Sequence, residues 1–193
     1  MVARAPAKLS TVTDLERIAD RDRLEIVHGS IVEKAMPSAE HSIGSAKLGE
    51  LTGPFNRRPG PRGPGGWWIH VEVHVEHLDH ELYCHDAAGW RRDRVPVPPS
   101  GWPIRIRPDW VCEIASPSHE KRDFVDKLGV LHRAQVPYYW ILHPEQKMLI
   151  VHRWANEGYV TILTATSGQI VRAEPFDAIE IAVGELFGED VED

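Results

Sequence analysis

The sequence predicts an α/β fold with a mixed central sheet covered by helices, and three observations predict it. Two stretches, residues 38–55 and 123–134, carry apolar residues at helical three- and four-residue steps. Strand-length runs rich in Val, Ile, Tyr and Trp fill much of the remainder. The order helix, several strands, helix, strand is that of helices packed on a sheet rather than of an all-β sandwich or a bundle.

Each element follows from local chemistry. Thr13 with Glu16 three residues on has capping-box spacing and predicts a short helix start. Residues 24–27 and 31–34 flank His28-Gly29-Ser30 and read as a hairpin, because Gly29 permits the positive φ of a tight turn. Ser38 opens the first substantial helix, with Ile43, Ala46, Leu48, Leu51 and Phe55 as its apolar stripe. The Pro, Gly and Arg of residues 56–66 make a loop, and strands follow at 67–76, 81–86, 104–106 and 110–115, with a Pro-rich connection at 95–103. Pro117-Ser118 stops the last of them. Phe124, Leu128 and Leu131 mark an amphipathic helix; Tyr138-Tyr139-Trp140-Ile141-Leu142 reads as a buried strand; and residues 147–154 and 159–164 form a hairpin about Asn156-Glu157-Gly158. The division expected is a disordered N-terminus over 1–12, one domain over 13–187 and an acidic tail over 188–193.

Composition bounds the function. The 193 residues, 42% apolar and 26% charged, suffice for one domain with a substantial core. No apolar run approaches the roughly 20 residues of a membrane helix. Cys84 and Cys112, each inside an apolar run, suit a reducing, cytoplasmic compartment and exclude a structural zinc cluster of cysteines. A net charge of −7 argues against a general nucleic-acid coat protein, since non-specific affinity comes from phosphate neutralisation. It leaves room for local basic sites: Arg57, Arg58 and Arg62; Arg91, Arg92 and Arg94; Arg105 and Arg107; Lys121 and Arg122.

The chemistry centres on Glu113, a carboxylate inside the apolar strand Asp109-Trp110-Val111-Cys112-Glu113-Ile114-Ala115. A buried carboxylate must be protonated, paired or bound to a metal. Strand parity puts Asp109 on the same face, but four residues of strand is about 13 Å, too far for one ion. Asp86, at the end of the apolar run 82–85, is the better partner, because acids on neighbouring strands lie about 5 Å apart and can chelate a hard divalent ion such as Mg²⁺. Glu72, on the preceding strand, offers a third carboxylate.

These residues resemble a known family. His85-Asp86-Ala-Ala-Gly-Trp-Arg-Arg-Asp-Arg, Pro108-Asp109-Trp-Val-Cys-Glu113-Ile-Ala-Ser-Pro-Ser, Asp126-Lys127 and Val136-Pro-Tyr-Tyr-Trp-Ile, preceded by Leu24-Glu25-Ile26-Val27-His28-Gly29 and Pro37-Ser38-Ala39-Glu40-His41, are together similar to the Uma-type putative restriction endonucleases of the PD-(D/E)XK nuclease superfamily. The likeness extends over residues 13 to 155. It implies a restriction-endonuclease-like core preceded by a helix-hairpin extension, and a metal-dependent endonuclease acting on DNA with Mg²⁺ or Mn²⁺. The first acidic position falls on Asp86 and the second on Glu113. Two positions depart from the pattern. His85 stands where a proline precedes the first acid, a change read as harmless because that proline binds nothing. Ala115 stands where a lysine follows the second acid, so the lysine is sought on the following helix, at Lys127, with Lys121 as the alternative.

In that reading Asp86, Glu113 and Glu72 hold the ion and Lys127 orients or deprotonates the attacking water. Arg91, Arg92 and Arg94, beside Asp86, steer phosphate with Ser116, and His41 is an accessory residue. Cutting both strands of a duplex with one site per chain suggests a homodimer. Blander roles stand beside each residue: an ion pair of Glu113 with Arg122, a turn carboxylate at Asp86, a solvated Asp123–Lys127 helix pair, cross-strand pairing of Glu72 with a histidine, a helix-initiating turn at Ser116 and a helix-end imidazole at His41. Two further readings stay open for the whole chain. One is a catalytically weak or inactive nuclease-fold module serving interaction or regulation; the other is a zinc or iron enzyme centred on His70, Glu72, His74 and Glu76, which strand parity places on one face.

Overall fold

The computed structural model describes residues 8–61, 63–116 and 122–190, without the side chains of 122–124. Its elements are α1 (Val12–Leu15), β1 (Leu24–Val27), β2 (Ser30–Glu33), α2 (Ala39–Thr52), β3 (Trp67–Leu78), β4 (Glu81–Arg91) and β5 (Trp110–Ile114). A π-helical turn, Arg122–Lys127, then runs directly into α3 (Leu128–Arg133), followed by β6 (Tyr138–His143), β7 (Met148–Ala155), β8 (Gly158–Thr166), β9 (Ile170–Val171), β10 (Ile181–Ala182) and a 3₁₀ turn, Val183–Phe187. The main sheet runs β2-β1-β4-β5-β6-β7-β8, with β3 on the other edge of β4. All its pairs are antiparallel except β5–β6, the pair joined through α3. This is the mixed sheet the sequence predicts. No described helix is long and apolar enough to cross a membrane.

Several local expectations shift. The first cap is Thr11, not Thr13: the Asp14 carboxylate accepts from the Thr11 N–H at 3.0 Å and from its hydroxyl at 2.9 Å. The segment expected to be disordered is docked from residue 8 onward, with Ser10 N–H donating to the Gly29 carbonyl and Val12 buried. Residues 1–7, Arg62, Lys121 and the Pro117-Ser118 stop lie outside the described residues, as does the end of the acidic tail at 191–193. Ile104 makes only an isolated bridge to Val75, so 104–106 is not a strand. The N-terminal helix-hairpin extension joins the main sheet, since β1 pairs with β4.

Two cores hold the layers together. Trp110, Cys112 and Ile114 of β5 pack with Leu48, Phe55, Trp67, Trp140 and Phe176 beneath α2, whereas Val111 and Ala115 pack with Trp90, Leu131, Val136 and Tyr139 beneath α3. Period-two parity therefore splits β5 as its sequence implies. Gly89 is small of necessity: a Cβ there would meet Trp110 at 3.1 Å and Trp67 at 3.2 Å. The buried stripe of α2 is His41, Gly44, Leu48 and Thr52; of the stripe expected, Leu48 and Phe55 are buried and Leu51 packs on the core, whereas Ile43 is exposed. Gly44 faces Ile114, and a Cβ at that position would lie 3.4 Å from it, in ordinary van der Waals contact. His41 lies one turn earlier on the same buried stripe.

Candidate active site

The site occupies a gap in the sheet. One edge of β4 is covered by β3 along its length; the other is shared, with Ile26 of β1 opposite Leu82 and with β5 pairing from Ala87 to Gly89. Between those two partners, backbone groups of β4 and β5 face no strand, and carboxylates fill the ladder. Glu25 accepts from the Cys84 N–H at 3.0 Å, and Asp86 accepts from the Ile114 N–H at 2.6 Å. Continuing the β4–β5 register sets Asp86 opposite Glu113. The strand runs on through Arg91, so Asp86 is no turn carboxylate.

Each acid has ammonium and imidazole partners. The second Asp86 oxygen, Oδ1, lies 2.6 Å from Lys34 Nζ and 3.1 Å from His41 Nε2. Burial opposes ionisation of Asp86, but the His41 hydrogen bond and the Lys34 charge outweigh it and hold the carboxyl well below the usual range. His41 shows the converse balance: burial lowers its pKa, and Asp86 raises it by more. Lys34 likewise loses solvent yet is raised by Asp86 and Glu113. Glu113 is pushed up to about 7 by burial, against Lys127 and reinforced by Asp86. Its Oε2 is 2.9 Å from Lys127 Nζ, which also lies 3.3 Å from Glu25 Oε1, and the Lys127 side chain is 0% exposed. The solvated-helix account of Lys127 therefore fails; Arg122, offered as the ion-pair partner of Glu113, has no described side chain.

His85, at the position of the usual proline, is a further partner of Glu113. Its Nδ1 contacts Glu113 Oε1, and its Nε2 is 2.7 Å from His77 Nε2. Burial, with Lys127 nearby, keeps both rings well below the usual histidine range and hence neutral. When Glu113 is ionised it can only accept, and His85 then carries its proton on Nδ1 and accepts the His77 Nε2–H. Two neutral rings thus fix one carboxylate oxygen while Lys127 fixes the other.

Lys34, His41, Asp86, Glu113, Ser116 and Lys127 border one small cleft of about 30 Å³. One ligand atom each from His41, Glu72 and Asp86 lies within 4.8 Å of the others, a donor set of two carboxylates and an imidazole that could hold a metal ion. Glu72 reaches this cluster across the β3–β4 ladder, whose register, unshifted between Val71–Ala87 and Val73–His85, sets it opposite Asp86; its backbone is left-handed, φ +46°, at a cost of about 1–3 kcal/mol. Its partner is Lys34 at 3.2 Å rather than a histidine.

Other expected residues are elsewhere. Arg91 is five residues beyond Asp86, about 17 Å along a strand, with its guanidinium over Trp67; Arg92 stacks on Trp68; and Arg94 pairs with Asp109 at 2.8 Å. They brace the far end of β4 and do not stand beside the acids. Nor do the residues of 70–76 converge: His70 packs on Trp90, His74 Nε2 lies 3.1 Å from the Leu24 carbonyl oxygen, and Glu76 pairs with Arg105. Glu25, Lys34, His77 and His85 are the site-forming residues that the sequence reading missed. Glu25 lies in the segment Leu24-Glu25-Ile26-Val27, where it reads as an ordinary hairpin residue.

Comparison with known proteins agrees with this architecture. No curated protein matches the chain. A crystal structure of a putative nuclease belonging to DUF820 from Anabaena variabilis ATCC 29413 superposes with a TM-score of 0.69 at 17% identity, covering 92% of this chain and 97% of that one. At that identity the likeness shows a shared fold. The sequence profile of Uma2, described as putative restriction endonuclease, matches residues 10–184, a span that takes in the gap-filling Glu25, both central acids and Lys127. By that match the chain belongs to the Uma2 family of putative restriction endonucleases.

Proposed function

We propose that the protein is a metal-dependent endonuclease that hydrolyses DNA phosphodiester bonds. The observation carrying this reading is that Asp86, Glu113 and His41 border one cleft at an interruption of the sheet, with a Glu72 carboxylate oxygen within 4.8 Å of donor atoms of Asp86 and His41. Asp86, Glu113 and Glu72 would hold Mg²⁺ or Mn²⁺, and His41 adds a nitrogen donor. A bound ion supplies a Lewis acid for the phosphate and lowers the pKa of its water. Lys127 and His85 hold Glu113 in one orientation from opposite sides, a positioning role rather than proton transfer at Lys127, whose ammonium is enclosed. Ser116 borders the cleft where a phosphate would enter. A duplex substrate and a single site per chain favour a homodimer.

Plasmid cleavage with Mg²⁺ and with Mn²⁺ tests the reading, comparing wild type with Glu113→Ala. Nicking or linearisation by wild type alone is expected. Equal activity in both would assign the cleavage to a contaminant and remove its support. The second reading, a non-catalytic interaction module, is favoured by the fact that Asp86 and Glu113 each already have an ammonium partner. Absence of Mn²⁺ binding by wild type in calorimetry would select that reading.

A further inference from the structure

The superfamily pattern implies a lysine two residues after Glu113, but Ala115 stands there, buried against Leu131 and Val136. Lys127 borders the same cleft, but its ammonium is engaged by Glu113 at 2.9 Å and Glu25 at 3.3 Å and its side chain is 0% exposed. Lys34 is placed differently. It follows β2, and its backbone is gripped twice by Arg23: its N–H donates to the Arg23 carbonyl at 2.7 Å, and its own carbonyl accepts from the Arg23 guanidinium. The side chain is therefore aimed along the cleft, 12% exposed, with Nζ 2.6 Å from Asp86 and 3.2 Å from Glu72. Those same two acids, with His41, form the donor cluster for a divalent ion.

Resting on the nuclease reading, we propose that Lys34 is the substrate-facing lysine of this site: its ammonium holds the cation position between Asp86 and Glu72 until a divalent ion takes those oxygens. Once displaced, it is the positive charge of the cleft that a phosphate meets. Two cations cannot share one carboxylate pair without repulsion, so metal and ammonium compete, and removal of the ammonium strengthens metal binding. The placement of Glu72 supports this assignment, since the β3–β4 register sets it opposite Asp86 and Lys34 reaches both carboxylates.

The test is titration calorimetry of the full chain with MnCl₂ in the absence of DNA, using wild type, Lys34→Met and Lys34→Arg, with circular dichroism to confirm folding. Lys34→Met is expected to bind Mn²⁺ about tenfold more tightly, while Lys34→Arg stays close to wild type. With Ca²⁺ replacing Mn²⁺ to prevent cleavage, Lys34→Met is also expected to bind a short DNA duplex about tenfold more weakly. Unchanged or weaker Mn²⁺ affinity in a folded Lys34→Met protein overturns the inference and leaves the nuclease reading standing. Absence of Mn²⁺ binding in wild type and both variants overturns the two together.

Discussion

Replacing Lys127 with Met removes the one ammonium seated between Glu25 and Glu113 while keeping most of the side-chain volume. Removing one partner of a buried ion pair costs about 3–5 kcal/mol, because the remaining charge has lost its counter-ion and has no water. For a chain of this size each kcal/mol moves the melting temperature by about 2–4 °C, so a drop of about 6–20 °C is expected at pH 7.5. The effect carries a pH signature. Glu113 has a folded-state pKa of about 7, above its ordinary 4.5, so the folded state binds more protons than the unfolded state between those values. Stability from this group therefore falls as pH rises through that window, and Lys127 opposes the fall. The penalty of Lys127→Met is thus expected to shrink at pH 5.5, where Glu113 is neutral in both proteins. Calorimetric melts at the two pH values measure it. A drop below about 2 °C at pH 7.5, or one of equal size at both pH values, would refute the reasoning.

Three other outcomes are expected. His85→Phe keeps an aromatic ring but loses the donor to Glu113, and Mn²⁺ affinity measured by calorimetry is expected to fall about tenfold with the fold retained; unchanged affinity would remove the positioning role. Asp86 has a depressed folded-state pKa, so its contribution is present above the ordinary value of 3.8 and lost as pH falls below it. Asp86→Asn is accordingly expected to flatten the acid limb of a urea-stability profile below about pH 4, and an unaltered limb would contradict this. Gly89→Ala drives a methyl group against two tryptophans and is expected to cost about 1–3 kcal/mol in urea unfolding while leaving Mn²⁺ binding intact.

The sheet and its two faces were legible because strands announce themselves locally: the parity of Trp110 to Ala115 sorts those residues into the two cores found. The Asp86–Glu113 pairing was legible for the same reason, since each acid interrupts an apolar run. On α2, periodicity rewards Ile43, which is exposed, and gives no credit to Gly44, which faces Ile114. Arg91, Arg92 and Arg94 were assigned to Asp86 by sequence proximity, which an extended strand turns into distance. Glu25, Lys34 and His85 were missed because nothing local marks a residue whose partner comes from another part of the chain. Lys34 follows a short hairpin as an apparent surface cation, and His85 occupied a position judged by what the usual proline does not do.

The interruption of the sheet between β1 and β5 has a consequence for how the molecule assembles. Glu25 and Lys127 are about a hundred residues apart in the chain, yet neither is comfortable away from water without the other. Docking α3 before the N-terminal hairpin would enclose Lys127 with an incomplete set of counter-charges; docking the hairpin first would leave Glu25 facing an open gap. The two events are therefore energetically linked, so early and late parts of the sequence close over the site in one cooperative step. A proteolytic cut that freed the hairpin would loosen the opposite side of the sheet along with it.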